Sequence, residues 1–138
     1  MAPDTNLDRL RRAVDAWNAG DLDTYLELYD DAISLHGYSP QPMSKTEVRG
    51  FYTMIFAAFP GSTLTIDETI VEGDRVALRF VQQGTHAGVF MGLPASGKDF
   101  AMTGQTVLHF RDGRVVERWS SADMLGLLVQ LGAMPPPG

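Results

Sequence analysis

Few side chains in this sequence could do proton-transfer or covalent chemistry, and their spacing narrows the options further. There is no cysteine, so thiolate nucleophiles, disulfides and zinc–thiolate sites are excluded. The three histidines, His36, His86 and His109, are too far apart to show metal-ligand spacing, and no metal site is expected. Asp123 is the carboxylate with the most suggestive neighbours, Trp119 and Leu127. Burial against them would raise its pKa, because desolvation disfavours the charged form, and would suit it to general acid/base work. Read without further context, however, an aspartate opening an apolar helical segment is first an N-cap.

The elements that must position these residues can be read along the chain. Leu7, Leu10, Ala13, Val14 and Trp17 recur at helical spacing from a cap at Asp4 or Thr5, and Asn18-Ala19-Gly20 ends that helix. Asp21 caps a second helix with Leu22, Tyr25, Leu26 and Tyr29 on its inner face. Residues 32–37 read as a short strand and 37–42 as a loop. Ser44 and Glu47 have capping-box spacing and open a helix that runs to Phe59, before Pro60-Gly61. Strands follow at 63–71 and 75–83, then an irregular Gly- and Pro-rich connection at 84–98. Asp112-Gly113 is the strongest hairpin signal and joins strands at 99–111 and 114–121. Residues 125–131 form a closing turn of helix.

Helices followed by antiparallel strands give an α+β order. The expected architecture is a cone: N-terminal helices packed on a strongly curved antiparallel sheet that encloses an apolar cavity. Residues 1–134 are read as a single domain and 135–138 as a short Pro-rich tail. The net charge of -6 and the scattered Lys and Arg argue against nucleic acid, which needs a concentrated basic face. No apolar run approaches the ~18 residues of a membrane span, and the N-terminus shows no secretory h-region, so a cytoplasmic protein is expected.

Three stretches resemble one known family. Trp17-Asn18-Ala19-Gly20-Asp21-Leu22-Asp23 is similar to the opening of many nuclear transport factor 2-like domains. The run Gly84-Thr85-His86-Ala87-Gly88-Val89-Phe90-Met91-Gly92-Leu93-Pro94, with Ser96-Gly97-Lys98, resembles a glycine-rich segment of the SnoaL-like polyketide cyclases, also called ester cyclases. Asp112-Gly113-Arg114-Val115-Val116-Glu117, with Trp119, Asp123 and Gln130-Leu131-Gly132, looks like that family's C-terminal ending. Ala95-Ser96 departs from the family's Pro-Thr, and 37–42 and the helix at 46–59 match no cyclase pattern.

The resemblance implies the curled sheet, a homodimer, and a cofactor-independent acid/base enzyme acting on a small, hydrophobic, carbonyl-rich substrate. The implied reaction is intramolecular aldol cyclisation or a related enolisation. It also implies catalytic roles for Asp123 and His109. The expected pocket wall is Trp17, His36, Phe51, Phe59, Phe90, Met91, Met102, Gln105 and Trp119. Alternating strand faces raise one obstacle. A strict two-residue turn at Asp112-Gly113 would put His109 on the face opposite to Trp119 and Asp123, so the two meet only if a bulge shifts the register. A non-catalytic ligand-binding or dimeric module is a second reading. An epoxide hydrolase is a third, weakened because Arg118 and Asp123 have opposite parity and the matching strands lack a second aspartate.

Overall fold

The computed structural model describes residues 5–136. Thr5 caps α1 (Asn6–Asn18) in a capping box with Asp8, each side chain accepting the other's backbone N–H. The alternative cap, Asp4, lies outside the described residues. Asp21 caps α2 (Leu22–Leu26), which is shorter than its apolar spacing predicts. Tyr29 does not continue α2 but opens β1 (Tyr29–His36). The reason is tertiary: the Leu28 carbonyl accepts Val115 N–H at 2.8 Å, so the chain is drawn into the sheet. Ser44 and Glu47 form the predicted capping box at the start of α3 (Lys45–Ala58).

The remaining elements are β2 (Thr63–Glu72), β3 (Arg75–Thr85), β4 (Asp99–Arg111), β5 (Arg114–Ala122) and α4 (Met124–Gln130). The sheet order is β1-β5-β4-β3-β2, and the edge strands β1 and β2 do not pair with each other, so the sheet stays open. The α+β architecture is the expected one, with one difference. The sheet is not wholly antiparallel, because β1 runs parallel to β5. A parallel pair needs a long crossover, and α3 with three strands supplies it here.

One face of the sheet packs on the helices. Val76, Leu78, Phe100, Leu108, Phe110 and Val115 are buried against Leu10, Ala13 and Trp17 of α1 and Val48, Tyr52 and Ile55 of α3. The other face leaves Ile70, Val107 and Trp119 exposed.

Asp112 and Gly113 take positive φ values of 52° and 81°, the left-handed pair of a tight hairpin turn, and Arg111 pairs with Arg114. The register then shifts. Phe110 pairs with Val115 but His109 pairs with Glu117, leaving Val116 as the extra residue of a bulge. The irregular segment after β3 holds a second tight turn, where Phe90 and Leu93 exchange backbone hydrogen bonds at 3.0 and 2.8 Å around Met91 and Gly92. Ala87 and Gly88 donate to the Ala58 carbonyl, and buried His86 accepts Ser96 N–H on Nδ1. These contacts pin the segment to the end of α3.

Candidate active site in the cone cavity

A cavity of about 380 Å3 lies between the helices and the inner face of the sheet. That size falls within the range of small-molecule sites. Phe59, Phe90, Phe100 and Leu127 make an apolar wall, while Tyr25, Tyr38, Tyr52, Ser120 and Arg118 make a polar one. Met91 and Met124 also line it and are exposed, which marks the mouth between the Met91 turn and the start of α4.

The polar wall follows from strand alternation. The bulge at Val116 sets β5 so that Leu108 pairs with Arg118 and Thr106 with Ser120, all on the inner face. Arg118 therefore points into the cone. Its Nε donates to Ser120 Oγ at 2.9 Å, and its Nη1 donates to Tyr25 Oη at 2.9 Å and Tyr29 Oη at 2.7 Å. Nη2 makes a long contact of 3.4 Å to Thr106 Oγ1. Every acceptor is a neutral hydroxyl. Among the described residues, no carboxylate forms an ion pair with this guanidinium.

The phenols are themselves joined. Tyr25 and Tyr29 hydroxyls lie 3.0 Å apart, Tyr29 and Tyr52 2.7 Å, and Tyr52 and Tyr38 2.6 Å. Burial pushes Tyr29 and Tyr52 well above the ordinary phenol value, and the Arg118 charge only partly opposes it. Tyr52 on the cavity wall and Tyr29 behind it are neutral hydroxyls, not bases. Burial alone would favour a neutral guanidine at Arg118, but the surrounding phenol oxygens outweigh it and hold the group charged.

Gly37 makes this arrangement possible. It has a φ of 97°, and a Cβ there would collide with the Ser120 carbonyl. Only glycine lets the end of β1 approach β5 this closely and then turn Tyr38 over the Arg118 guanidinium, 5.9 Å from ring centroid to Cζ.

Of the expected wall residues, Trp17, Phe51, Phe59, Phe90, Met91 and Met102 line the cavity. His36, Gln105 and Trp119 do not. They line a groove on the opposite face of the sheet. There His36 stacks on Trp119 at 5.1 Å and meets Glu117 through Nε2 at 2.7 Å.

The bulge does bring His109 to the face of Trp119, with ring centroids 4.6 Å apart, but that face is the outer one. Asp123 likewise is exposed and caps α4, with Oδ1 accepting Gly126 N–H at 2.9 Å. It lines a rim groove with Asp67, Arg79, Gln105 and Ser121. The burial against Trp119 and Leu127 on which its expected role rested is absent, since Leu127 faces the cavity and Trp119 is 39% exposed. Even so, Asp123 is flanked in the chain by Ala122 and Met124, both of which line the cavity. It stands at the rim.

Reading the sequence did not place Arg118, weighed there only for an epoxide hydrolase, or the four tyrosines in the cavity's polar network. A signal existed: Arg118 and Ser120 are polar residues at inward positions of a strand whose outward neighbour is Trp119. Without the register, that alternation points either way. No group of His, Asp and Glu able to hold a metal occurs among the described residues. No helix among them is long and apolar enough to cross a membrane.

An open α+β cone with one cavity wall apolar and the other cationic has the architecture of a nuclear transport factor 2-like domain. Comparison with known proteins makes the class specific: residues 7–131 match the family model of the SnoaL-like polyketide cyclases, and the chain belongs to that family. It is 28% identical to aklanonic acid methyl ester cyclase DnrD of Streptomyces peucetius over 137 residues, covering 93% of this chain and 91% of that one. Among solved structures it resembles AclR of Streptomyces galilaeus, described as a proposed hydroxylase, at a TM-score of 0.88 and 31% identity. That match covers 96% of this chain and 84% of AclR. IdmH of Streptomyces antibioticus, a proposed polyketide cyclase, matches at a TM-score of 0.82 and 34% identity, over 94% of this chain and 99% of its own.

Proposed function

We propose that this chain is a polyketide cyclase that closes a ring by intramolecular aldol addition, with the substrate in the cone cavity. The observation that carries the proposal is the Arg118 guanidinium, held by neutral hydroxyls on a cavity wall with no carboxylate among the described residues paired to it. In an aldol closure a base removes a proton from carbon beside a carbonyl, and the enolate carbon attacks a second carbonyl of the same chain. The new alkoxide then takes up a proton. Negative charge develops on oxygen at both stages, and a fixed cation with oriented donors stabilises it before any solvent must reorganise.

The base has to come from elsewhere than the tyrosines, whose neutral forms burial favours. Asp123 is the carboxylate flanked on both sides by cavity-lining residues, and it fits a substrate carbon held at the mouth. Its free carboxylate oxygen would take the proton after a side-chain turn away from the rim groove. His109 and Trp119 act at most on the outer face. We further propose that this face, with exposed Ile70, Val107 and Trp119, is where two copies pair as a homodimer.

Aklanonic acid methyl ester, the compound that names the Streptomyces peucetius relative, is the first substrate to try. Cyclisation gives a chromatographically distinct product of unchanged mass. Arg118→Lys and Asp123→Asn should each lower kcat by about 100-fold or more while circular dichroism stays unchanged. Full turnover in Asp123→Asn would remove Asp123 from the reaction. Uptake of ligand with no product for any polyketide tested would leave a binding module, and solvent oxygen-18 in a diol product would indicate an epoxide hydrolase.

A further inference from the structure

The polar wall of the cavity carries an unbalanced charge. A guanidinium has five N–H donors. In Arg118, one on Nε and two on Nη1 have short partners, and one on Nη2 reaches Thr106 at 3.4 Å. A second Nη2 hydrogen is left over. Arg118 is half-buried on the cavity wall and charged, and a cation partly withdrawn from water is unfavourable without a counter-charge. Neutral hydroxyls solvate it but do not cancel it.

The phenols leave a second open donor. Tyr25, Tyr29, Tyr52 and Tyr38 form a chain with three hydroxyl–hydroxyl links. Four phenolic hydrogens serve three links, so one hydrogen must point out of the chain. Tyr29 and Tyr52 are enclosed, and an outward hydrogen on either would be an unsatisfied buried donor. Tyr25 and Tyr29 already accept from Arg118, which favours their donating onward. The chain therefore runs Tyr25 to Tyr29 to Tyr52 to Tyr38. The spare hydrogen falls on Tyr38, half-buried on the cavity wall beside Arg118.

We propose that the cavity selects a flat apolar ligand bearing an oxyanion delocalised over two oxygens, held by the free Nη2 hydrogen of Arg118 and the Tyr38 hydroxyl. Two ligand chemistries share that feature, a carboxylate and an ionised 1,3-diketone. The remainder of such a ligand has room. On β4 the Thr106 and Met102 positions are four residues apart, ~13 Å along the strand, and the wall beyond is Phe59, Phe90, Phe100 and Met102. The inference rests on the cavity being the substrate site. It goes beyond that reading by assigning the substrate's charge, and it can be tested without turnover.

The probes are 2-naphthoate, 2-phenylindane-1,3-dione in its ionised form, and neutral methyl 2-naphthoate. Their Kd values are measured calorimetrically on the full chain at neutral pH. At least one anionic probe should bind tenfold or more tightly than the ester. Preference for 2-naphthoate alone identifies the carboxylate, and preference for the dione alone the ionised diketone. Arg118→Met should abolish the preference and leave the ester's affinity within about threefold. Tyr38→Phe, which keeps the guanidinium, should reduce the preference without removing it, and serves if Arg118→Met fails to fold. Equal binding of anions and ester by the unaltered protein, or an anion preference unchanged in either variant, would overturn the proposal. Anion selectivity without any cyclisation would sink the cyclase reading and leave this one standing.

Discussion

The Tyr29 hydroxyl accepts a hydrogen bond from Arg118 Nη1 at 2.7 Å, across 89 positions of sequence. This contact ties the first residue of β1 to the middle of β5. Tyr29 is 0% exposed. Replacing it with phenylalanine keeps the ring and removes the acceptor, leaving one N–H of the half-buried Arg118 cation unsatisfied. The expected loss is about 1–3 kcal/mol of stability, read by chemical denaturation. A variant as stable as the parent would mean that the bond contributes nothing net.

The tyrosine chain predicts a particular response to alkali. An unfolded chain releases its phenol protons near pH ~10. Tyr29 and Tyr52 keep theirs to higher pH in the fold, because burial raises both. Above that pH the folded state binds more protons than the unfolded state, so stability is complete below pH ~10 and falls as pH rises. A Tyr29→Phe, Tyr52→Phe double variant should lose this alkaline slope even if its overall stability is lower. Melting temperatures measured across the range would show it, and identical slopes would refute it.

Gly37→Ala tests the close approach of β1 to β5. Alanine at a φ of 97° is strained, and its Cβ meets the Ser120 carbonyl. Strain of this kind costs about 1–3 kcal/mol, and relief requires moving the segment that carries Tyr38. The variant should melt lower and also lose selectivity for anionic probes. Gly20→Ala is the control, because Gly20 shares the positive φ but has open space around it. It should lower stability alone.

The outer face of the sheet gives the fourth prediction. If two copies pair there, Trp119→Glu should convert the dimer to monomer in light scattering at micromolar concentration. Ligand binding in the cavity should survive, since Trp119 does not line it. A dimer that persists in Trp119→Glu would place the interface elsewhere.

Much of this protein was legible before any coordinates. Helical spacing and the Ser44–Glu47 capping box located α3, and Asp112-Gly113 located the last hairpin. These features are local: a cap needs three or four neighbouring residues, and a two-residue turn needs positive φ at both central positions. The motifs around His86 and Asp123 likewise pointed to the family that the comparisons bear out. The aromatic residues of the helices and of the Gly-rich segment, Trp17, Phe51, Phe59 and Phe90, do line the cavity.

What the tertiary structure decided was which face of β5 looks inward. One extra residue, Val116, separates the pair Phe110–Val115 from the pair His109–Glu117. Side chains alternate with a period of two along a strand, so that single insertion reverses every inward and outward assignment beyond it. It allows His109 and Trp119 to meet, as parity required, and turns both away from the cavity. It also aims Arg118 at Tyr25 and Tyr29, which arrive from α2 and β1 by a long crossover. No local pattern encodes a bulge or a contact between such distant segments. The sequence specified the family and the parts of the cone; the fold moved the cavity's polar centre from Asp123 to Arg118.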